Sequence, residues 1–329
     1  MNEKRFDVTA IGNAIVDVLA YADDALLIEN NLPKGAMSLI DAADAERIYK
    51  LMGAGHEASG GSAGNTIAGI AMLGGRAAYI GKVADDQLGD VFAHDIRAVG
   101  VTYDTPRLSE GLSTARSLIF VTPDAQRTMQ TFLGATTQLG PEDVNMDYIV
   151  GSKVLYLEGY LWDQPRAKEA MRNAAVQAQQ AGTKVAFTTS DAFCVDRFRD
   201  EFIELINSHV DILFANENEI LSLYQVKTFD EALQRVRGHA EIACLTRSEK
   251  GSVIVNGDEM HVIDAEKGVK VVDTTGAGDA YAAGFLYAYT QGRDLATCGR
   301  LGSLMAAEVI SHLGPRPQAD VKALAAKVL

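Results

Sequence analysis

A short turn near the C-terminus carries the residues best suited to chemistry. The segment 273–279 reads Asp-Thr-Thr-Gly-Ala-Gly-Asp, and a helix is predicted to begin near Ala277. The first N–H groups of a helix have no intrahelical partner and carry the positive end of its dipole. Gly276, Ala277 and Gly278 would therefore form an anion hole for a phosphoryl group in transfer. Asp279, in the first helical turn, could accept a proton from an attacking hydroxyl.

The same turn has a purely structural interpretation. An ordinary strand–turn–helix with Asp279 as a stabilising N-terminal charge is the commoner case for an isolated Gly-x-Gly-Asp. In either case a β-strand is predicted just before the turn, ending at Asp273. The chain has no G-x-x-x-x-G-K-[ST] sequence, which excludes a P-loop, and Tyr281 occupies the last glycine position of a dinucleotide-binding fingerprint.

Two segments near the N-terminus could contact a polar substrate. Gly60 and Gly61 precede a predicted helix, so the backbone there can approach a ligand closely, and Asn65 offers both a donor and an acceptor. Asp17 follows the first predicted strand and could bind a vicinal diol. The alternatives are a glycine turn that only begins a helix and a solvated loop aspartate.

Two further sites could serve phosphate and metal. Asn216 and Glu219 lie three residues apart at the end of a predicted strand, on one face of the helix that they begin. Their oxygens suit Mg²⁺ held through water, although a capping box is the alternative and is favoured for the pair alone. Arg127 follows a predicted hairpin turn at 122–126 and could reach a phosphate bidentately, whereas a surface arginine is the commoner case.

The elements that must position these residues alternate between short β-rich runs and helices, which predicts a mainly parallel sheet covered on both faces. Strands are predicted at 8–11, 77–80, 154–157, 185–188, 212–215 and 242–246, and helices at 63–73, 87–99, 165–181, 219–224, 230–236, 277–291 and 295–312. Two stretches, 14–39 and 102–133, read as strands without intervening helices. They predict a small separate sheet, a lid, or alternatively an edge extension of the main sheet.

Composition limits the class of protein. With 30 Lys and Arg against 44 Asp and Glu, the net charge of −14 argues against general nucleic-acid binding but leaves room for a local anion site. The three cysteines form no C-x-x-C pair, which argues against a zinc knuckle or a disulfide framework. Because neither a signal core nor a membrane-length apolar run is visible, we expect a cytoplasmic protein with no membrane partner.

Together and in this order, the segments resemble the PfkB, or ribokinase-like, carbohydrate and nucleoside kinases over about residues 7–326. Residues 60–65 are similar to the family's N-terminal glycine signature, 273–279 match its D-T-x-G-A-G-D signature, and 216–219 match its N-x-x-E motif. The resemblance implies a doubly wound α/β fold as a single domain over 1–329, with a small β-sheet lid built from about 14–39 and 102–133. It also implies transfer of the γ-phosphoryl group of ATP to a primary alcohol of a sugar or nucleoside.

The resemblance also implies roles for individual residues. Asp279 would be the base, Gly276, Ala277 and Gly278 the anion hole, and Asn216 and Glu219 the residues that organise Mg²⁺ and its waters. Thr246, Ser248 and Gly251 correspond to the family's nucleotide loop, T-x-G-x-x-G, in which Ser248 replaces the first glycine. Relatives often hold K⁺ with backbone oxygens beside the anion hole; Asp273 and Thr275 match part of that loop, and Gly314 is expected near the rest of it.

The substrate-binding segments look most like those of the adenosine kinases. Asn13 and Asp17 fit that start, and Arg127 matches a lid arginine that contacts phosphate. Strand alternation would turn Met129, Thr131 and Leu133 to one face. With Tyr160, Leu161 and Met37 this face could form an apolar slot for a purine, or could instead pack on the lid or on a second lid.

Three functional hypotheses follow from these segments. The first is an ATP- and Mg²⁺-dependent nucleoside kinase that converts adenosine to AMP, with Asp17 and Asn65 gripping the ribose hydroxyls. The second is a ribokinase- or fructokinase-like sugar kinase with the same machinery. The third is a purine-binding regulator without turnover. A monomer and a lid-mediated homodimer are both compatible with the sequence.

Overall fold

Two β-sheets organise the chain in a computed structural model, which describes residues 4–124 and 126–329. The strands of the described residues are β1 (Phe6–Ile11), β2 (Ile15–Tyr21), β3 (Met37–Leu39), β4 (His56–Gly60), β5 (Ala77–Ile80), β6 (Thr102–Tyr103), β7 (Ala115–Val121), β8 (Arg127–Phe132), β9 (Ser152–Glu158), β10 (Lys184–Thr188), β11 (Ile212–Asn216), β12 (Ile242–Thr246), β13 (Ser252–Asn256) and β14 (Glu259–Ile263). The α-helices are α1 (Asp24–Glu29), α2 (Ala42–Tyr49), α3 (Ser62–Leu73), α4 (Gln87–Ala98), α5 (Met146–Val150), α6 (Pro165–Gln180), α7 (Ala192–His209), α8 (Glu217–Tyr224), α9 (Phe229–Val236), α10 (Ala277–Thr290), α11 (Leu295–Val309) and α12 (Val321–Ala325).

The large sheet has the strand order β14-β13-β12-β11-β10-β9-β1-β5-β6, and its strands are parallel from β12 to β6. The hairpin β13–β14 continues the sheet in antiparallel fashion at one edge. Apolar residues fill both faces of the inner strands, which explains their near-continuous apolar sequences. The predicted doubly wound, mainly parallel α/β fold is confirmed.

Side-chain alternation along the strands separates two cores. In β9, Val154 and Tyr156 join the core beneath α3, α10 and α11, while Leu155 and Leu157 join the core beneath α6, α7 and α8. Helices therefore cover both faces of the sheet. The parallel strands all point the same way, so their carboxyl ends meet at one edge, and this is where polar residues collect.

A second sheet of order β3-β8-β7-β2-β4 lies beside the first. One face, including Val18, Leu118 and Phe120, packs into the first core together with Leu27 of α1 and Ile48 of α2. The opposite face carries Asp17 and Arg127. A small separate sheet was predicted, and its strands are present; that it moves as a lid, and that 1–329 form one domain with that lid, stay predictions.

The boundaries of the predicted lid segments were partly wrong. The stretch 14–39 contains helix α1, which begins where the Asp23 side chain accepts a hydrogen bond from the N–H of Leu26 at 2.9 Å. Strand β6 pairs with β5 in the large sheet, so 102–103 lie outside the second sheet. The second sheet instead gains β4, whose sequence His-Glu-Ala-Ser-Gly has no β-branched residue and gave no strand signal. The predicted turn at 122–126 includes Ala125, which lies outside the described residues.

Helices α10 and α11 make a close backbone contact that only glycine permits. A Cβ at Gly284 would lie 2.6 Å from the carbonyl oxygen of Leu301 and 2.9 Å from the nitrogen of Gly302. Both atoms belong to the backbone and cannot rotate away. This contact fixes α10, and therefore Asp279 at its start, against the rest of the helical layer.

We therefore expect Gly284→Ala to lower the free energy of unfolding by about 1–3 kcal/mol, because overpacking outweighs the gain in helix propensity. Urea unfolding followed by circular dichroism measures this change. Gly53→Ala is the matched control, since nothing lies within 4 Å of a Cβ at that position. Equal stability of the two variants would contradict the tight α10–α11 contact.

Candidate active site

The site is built around Asp279, in the first turn of α10. Gly276 caps this helix with a φ of 76°, and a Cβ there would lie 2.7 Å from the carbonyl oxygen of Pro315, so only glycine fits this turn. The Asp279 carboxylate accepts a hydrogen bond from the Ser62 hydroxyl at 2.6 Å and one from the Asn65 amide at 3.3 Å. Both donors lie on α3, so the N-terminal ends of α3 and α10 meet at this carboxylate.

Burial is the main influence on the proton affinity of Asp279. It raises the pKa of this carboxyl to about 6, against the hydrogen bonds from Ser62 and Asn65 and the positive charge of Arg316. A carboxyl with this pKa is mostly ionised at neutral pH but holds a proton more readily than a solvated one. That property suits a general base.

The backbone N–H groups of the predicted anion hole differ in whether they already have a hydrogen-bond partner. Ala277 and Gly278 line a cavity next to Asp279. The N–H of Ala277 donates to the carbonyl of Thr274 at 3.2 Å, which closes the turn. The amide of Gly278 is thus the part of the turn that is best placed to meet an anion from the cavity.

Asp17 lies in strand β2 rather than in the solvated loop considered above. Burial raises the pKa of its carboxyl to about 6, while the charges of Arg316 and Arg127 oppose the rise. The carboxylate rests on Gly60, where a Cβ would lie 2.3 Å from its Oδ2. Gly61, with a φ of 86°, likewise leaves room for the carbonyl of Asn13.

The face of the second sheet beside Asp17 carries a row of apolar side chains. Strand pairing aligns Leu19 with Ile119, Ile119 with Met129, and Met129 with Met37. Aligned residues share a face, and Asp17 lies two residues before Leu19 on the same side. Leu19 and Met129 are half-buried and Met37 is 47% exposed. We call these four residues the apolar row.

Other residues expected near a purine lie differently. Thr131 shares the face with Met129, in the next aligned row, and its hydroxyl lies 3.0 Å from that of Ser117. Leu161 is fully buried in the second core, so it does not belong to the predicted apolar slot. Leu133 lies just outside β8. Tyr160 is half-buried beside that core, with its N–H donating to Ser190 at 3.0 Å.

Glu158, at the end of β9, is a site residue that sequence reasoning missed. Its carboxylate accepts hydrogen bonds from the Asn13 amide and from the N–H of Ala63, both at 2.8 Å. Burial raises its pKa to about 7. Glu158 thus fixes both Asn13 and the start of α3, and the signal for it was an acid that ends an apolar strand.

A cavity of about 930 Å³ opens on the other side of Asp279. Its walls combine the two helix starts at Ser62 and Gly278 with apolar residues such as Val271 and Ile310. The predicted nucleotide-binding residues Asn216, Glu219, Thr246, Ser248 and Gly251 also line it. The structure therefore brings this predicted group together in one space of a size typical for a small-molecule ligand.

The loop after β12 keeps a glycine-like conformation without the glycine. Ser248 has a φ of 51°, in the left-handed region. Gly251 has a φ of 79°, and a Cβ there would lie 2.0 Å from the carbonyl oxygen of Ile263. The N–H of Gly251 donates to the carbonyl of Ser248 at 3.0 Å. Ser248 therefore adopts a backbone conformation that favours glycine, at a cost in backbone strain.

Asn216 and Glu219 form the capping box that the sequence analysis considered. The Asn216 side chain accepts from the N–H of Glu219 at 3.0 Å, and the Glu219 carboxylate accepts from the N–H of Asn216 at 3.0 Å and from the Thr189 hydroxyl at 2.7 Å. Burial raises the pKa of Glu219. Because the pair also lines the cavity, capping and ligand binding are compatible here.

Arg127 is turned toward the glycine turn. Its guanidinium lies 2.6 Å from the carboxylate of Asp273, and both side chains are buried. The Asp273 carboxylate also accepts from the N–H groups of Thr275 and Gly314, each at 3.0 Å. These contacts gather the residues considered for K⁺ into one place; K⁺ binding stays a prediction.

The predicted strand before the turn was wrong. The N–H groups of Val272 and Asp273 both donate to the carbonyl of Ile310, at 2.8 and 3.3 Å, so this segment is tied to the end of α11 rather than to a neighbouring strand. Val271 is exposed at the cavity. The β-branched run 271–272 therefore contributes to a cavity wall at Val271 and does not join a sheet.

The fold and this site define a phosphotransferase that acts on an alcohol group. Residues 35–322 match the pfkB family carbohydrate kinases, and the chain belongs to that family, as the sequence analysis predicted. In the described part of the chain no helix is long and apolar enough to cross a bilayer.

Two solved structures resemble this chain closely. The adenosine kinase of Sinorhizobium meliloti is 55% identical, with a TM-score of 0.91 over 99% of this chain and 100% of that chain. A probable sugar kinase of Rhizobium etli is also 55% identical, with a TM-score of 0.91 over 98% of each chain. An uncharacterized sugar kinase of Archaeoglobus fulgidus is 30% identical over 75% of this chain and 96% of that protein.

The buried carboxyl of Asp279 leads to a prediction about stability. Its pKa in the folded state, about 6, exceeds the value of about 3.9 for an unfolded chain, so ionisation costs folding free energy as the pH rises from 4 through 6. We expect the free energy of unfolding of Asp279→Asn to exceed that of the wild type by about 1–2 kcal/mol at pH 8. The difference should vanish near pH 4. Urea unfolding at both pH values measures it.

Asp258→Asn is the control, because the Asp258 side chain is fully exposed. It should change stability little at either pH. A loss of stability in Asp279→Asn that is the same at pH 4 and pH 8 would contradict the raised pKa and would point to lost hydrogen bonds with Ser62 and Asn65 instead.

Proposed function

We propose that this protein is an ATP-dependent nucleoside kinase that phosphorylates the 5′-hydroxyl of adenosine to give AMP. The observation that carries the proposal is the apolar row beside Asp17 on the second sheet. A carboxylate next to an apolar strip suits a ligand with hydroxyls at one end and a flat base at the other. A bare sugar would require polar partners along the row. The similarity to an adenosine kinase supports the same substrate class.

In this proposal Asp17 and Asn65 bind the ribose hydroxyls, and the apolar row contacts the base. Both oxygens of the Asp279 carboxylate have donors on α3, so its position is fixed before the substrate arrives. The ionised carboxylate accepts the proton of the 5′-hydroxyl as that oxygen attacks the γ-phosphorus. The proton moves to Asp279, the bond between the γ-phosphorus and the bridging oxygen breaks, and ADP leaves.

The cavity beyond Asp279 is the proposed ATP site. Its volume and its mixture of helix starts with apolar walls fit a nucleotide, whose phosphates would meet the Gly278 amide and the start of α10. Thr246, Ser248 and Gly251 would contact the nucleotide at the far side. Closure of the second sheet over the acceptor, with Arg127 near the transferred group, would exclude water and limit hydrolysis of ATP.

The residues present fit a magnesium ion that arrives with the nucleotide. Mg²⁺ is commonly held by one or two carboxylates, substrate phosphates and several waters. Among the described residues no group of three or more His, Cys, Asp or Glu could hold a metal, whereas Glu219 and Asn216 line the cavity. Bound there, Mg²⁺ would supply positive charge to the phosphates. Glu219 would orient its waters.

A sugar kinase with the same machinery is the second candidate, favoured by the probable sugar kinase and by the sugar kinase among the relatives. Initial rates of ADP release with adenosine, inosine, guanosine, cytidine, ribose and fructose separate the two. We expect the purine nucleosides to give higher kcat/KM values than the free sugars, because they use both Asp17 and the apolar row. Among them we expect adenosine to rank first, by similarity to the adenosine kinase of Sinorhizobium meliloti. A clear preference for a free sugar would overturn the proposal.

The apolar row makes a finer prediction. Met129→Gln keeps the length of the side chain but places a polar amide against the base, and we expect the KM for adenosine to rise about tenfold, equivalent to about 1.4 kcal/mol, with kcat and the KM for ATP little changed. Met260→Gln, on the distant strand β14, is the matched control and should alter neither constant. Equal effects of the two substitutions would exclude base contact by Met129.

A further inference from the structure

Arg316 is a cation beside the proposed base that lies in none of the family motifs. It belongs to a short segment fixed against the glycine turn: the N–H of Gly314 donates to Asp273 at 3.0 Å, and Pro315 packs under Gly276. Only 15% of the Arg316 side chain is exposed. The backbone that leads into this arginine is therefore held against the start of α10.

The contacts of Arg316 form a chain that ends at Asp279. Its Nε donates to the Asn65 Oδ1 at 3.2 Å, and the Asn65 Nδ2 donates to the Asp279 Oδ2 at 3.3 Å. On the other side, the Arg316 Nη1 lies 3.4 Å from the carboxylate of Asp95. Asp95 is in turn fixed by the N–H and the hydroxyl of Ser59, at 2.8 and 2.7 Å.

The chemistry of this chain has one consistent arrangement. A guanidinium can only donate hydrogen bonds, and a carboxylate can only accept them. The amide between them must therefore turn its oxygen to Arg316 and its NH₂ group to Asp279. Without the arginine, no other contact in this series of hydrogen bonds would prevent the Asn65 amide from rotating by 180° and placing its oxygen against the Asp279 carboxylate.

We propose that Arg316 is a positioning residue for phosphoryl transfer, which holds the Asn65 amide in the orientation that donates to Asp279. This inference rests on the proposed function, since it assumes that Asp279 is the base. The Arg316 charge acts in the same direction as the hydrogen bonds, because it faces the carboxylates of Asp17, Asp95 and Asp279 in a buried site.

The effect on proton affinity has a definite sign. Loss of the positive charge removes one of the influences that lower the pKa of Asp279, so the pKa rises further. The other ionisable groups that face Asp279 are Asp17 on β2, Tyr156 and Glu158 on β9, Tyr160 after β9, and, through Asp17, Arg127 on β8. Arg316 also lowers the pKa of Asp17, so its loss moves the titration of both carboxyls in the same direction.

The test uses Arg316→Met and Arg316→Lys with adenosine and ATP across a pH range. For Arg316→Met we expect kcat at pH 7 to fall on the order of a hundredfold, because the base loses its fixed position, and the acidic limb of the kcat profile to move up by about one pH unit. Arg316→Lys keeps the charge and one donor, and its acidic limb should return toward that of the wild type.

Arg199→Met is the matched control. Arg199 is also partly buried and donates to the carbonyl of Ser222 at 3.0 Å, far from the site, so its loss should leave the pH profile unchanged. A merely structural role of Arg316 would lower stability and the amount of active enzyme without moving the acidic limb. An unmoved limb in Arg316→Met would overturn the inference.

A double-mutant cycle tests the route through Asn65. If Arg316 acts by orienting that amide, the loss in kcat for Arg316→Met with Asn65→Ala should be little larger than for Asn65→Ala alone, whereas additive losses would overturn the route. Asp279→Asn separates the two levels of the proposal. Wild-type turnover in Asp279→Asn would remove the proposed base, and this inference with it. Suppose instead that Asp279→Asn loses turnover, that the acidic limb of Arg316→Met does not move, and that the kcat losses of Arg316→Met and Asn65→Ala are additive. This combination would overturn the present inference and leave the proposed base in place.

Discussion

The interaction on which the site depends is the pairing of one buried carboxylate, Asp279, with donors that another helix supplies. Burying a charged carboxylate is costly unless hydrogen bonds and nearby positive charge compensate. Ser62 and Asn65 provide the hydrogen bonds and Arg316 the charge. The compensation is incomplete, as the raised pKa shows. In the proposed function, this residual cost would make Asp279 a better proton acceptor than a fully satisfied carboxylate in the same place.

The fold meets this requirement by bringing helix starts and strand ends to one point. Strands β1 and β9 end beside α3, and α10 packs on α3 from the same layer. Three glycines allow the close approach, each against a different partner: Gly12 against the Glu158 carboxylate, Gly60 against that of Asp17, and Gly276 against Pro315. A side chain at any of them would separate two parts of the site by more than a hydrogen bond tolerates. The rigid large sheet thus fixes the positions of the site residues at its carboxyl edge.

How much of this could be read from the sequence depends on the range of each signal. The alternation of strands and helices predicted the fold, and the glycine turn and the pair Asn216 and Glu219 predicted residues that line the cavity. Ser62, Glu158 and Arg316 gain their meaning only from partners far along the chain: Ser62 meets Asp279 across 217 residues, and Arg316 meets Asn65 across 251. No local pattern encodes such contacts. The strand predicted before Asp273 was wrong for a related reason, because a β-branched run does not reveal whether its N–H groups will meet a strand or, as here, the end of α11.

Two interpretations of a sequence motif that seem to exclude each other can both hold in the structure. Asn216 and Glu219 cap α8 and at the same time face the cavity, because the start of a helix after a parallel strand is where both tasks fall. Ser248 breaks the local preference for glycine at a φ of 51°, yet it does so in a loop whose shape is held by the N–H of Gly251 and by the hairpin that follows. The Arg127–Asp273 ion pair ties the second sheet to the glycine turn that precedes Asp279. Any motion of that sheet must exchange this buried pair for other partners, so the position of the sheet and the geometry of the glycine turn are physically coupled.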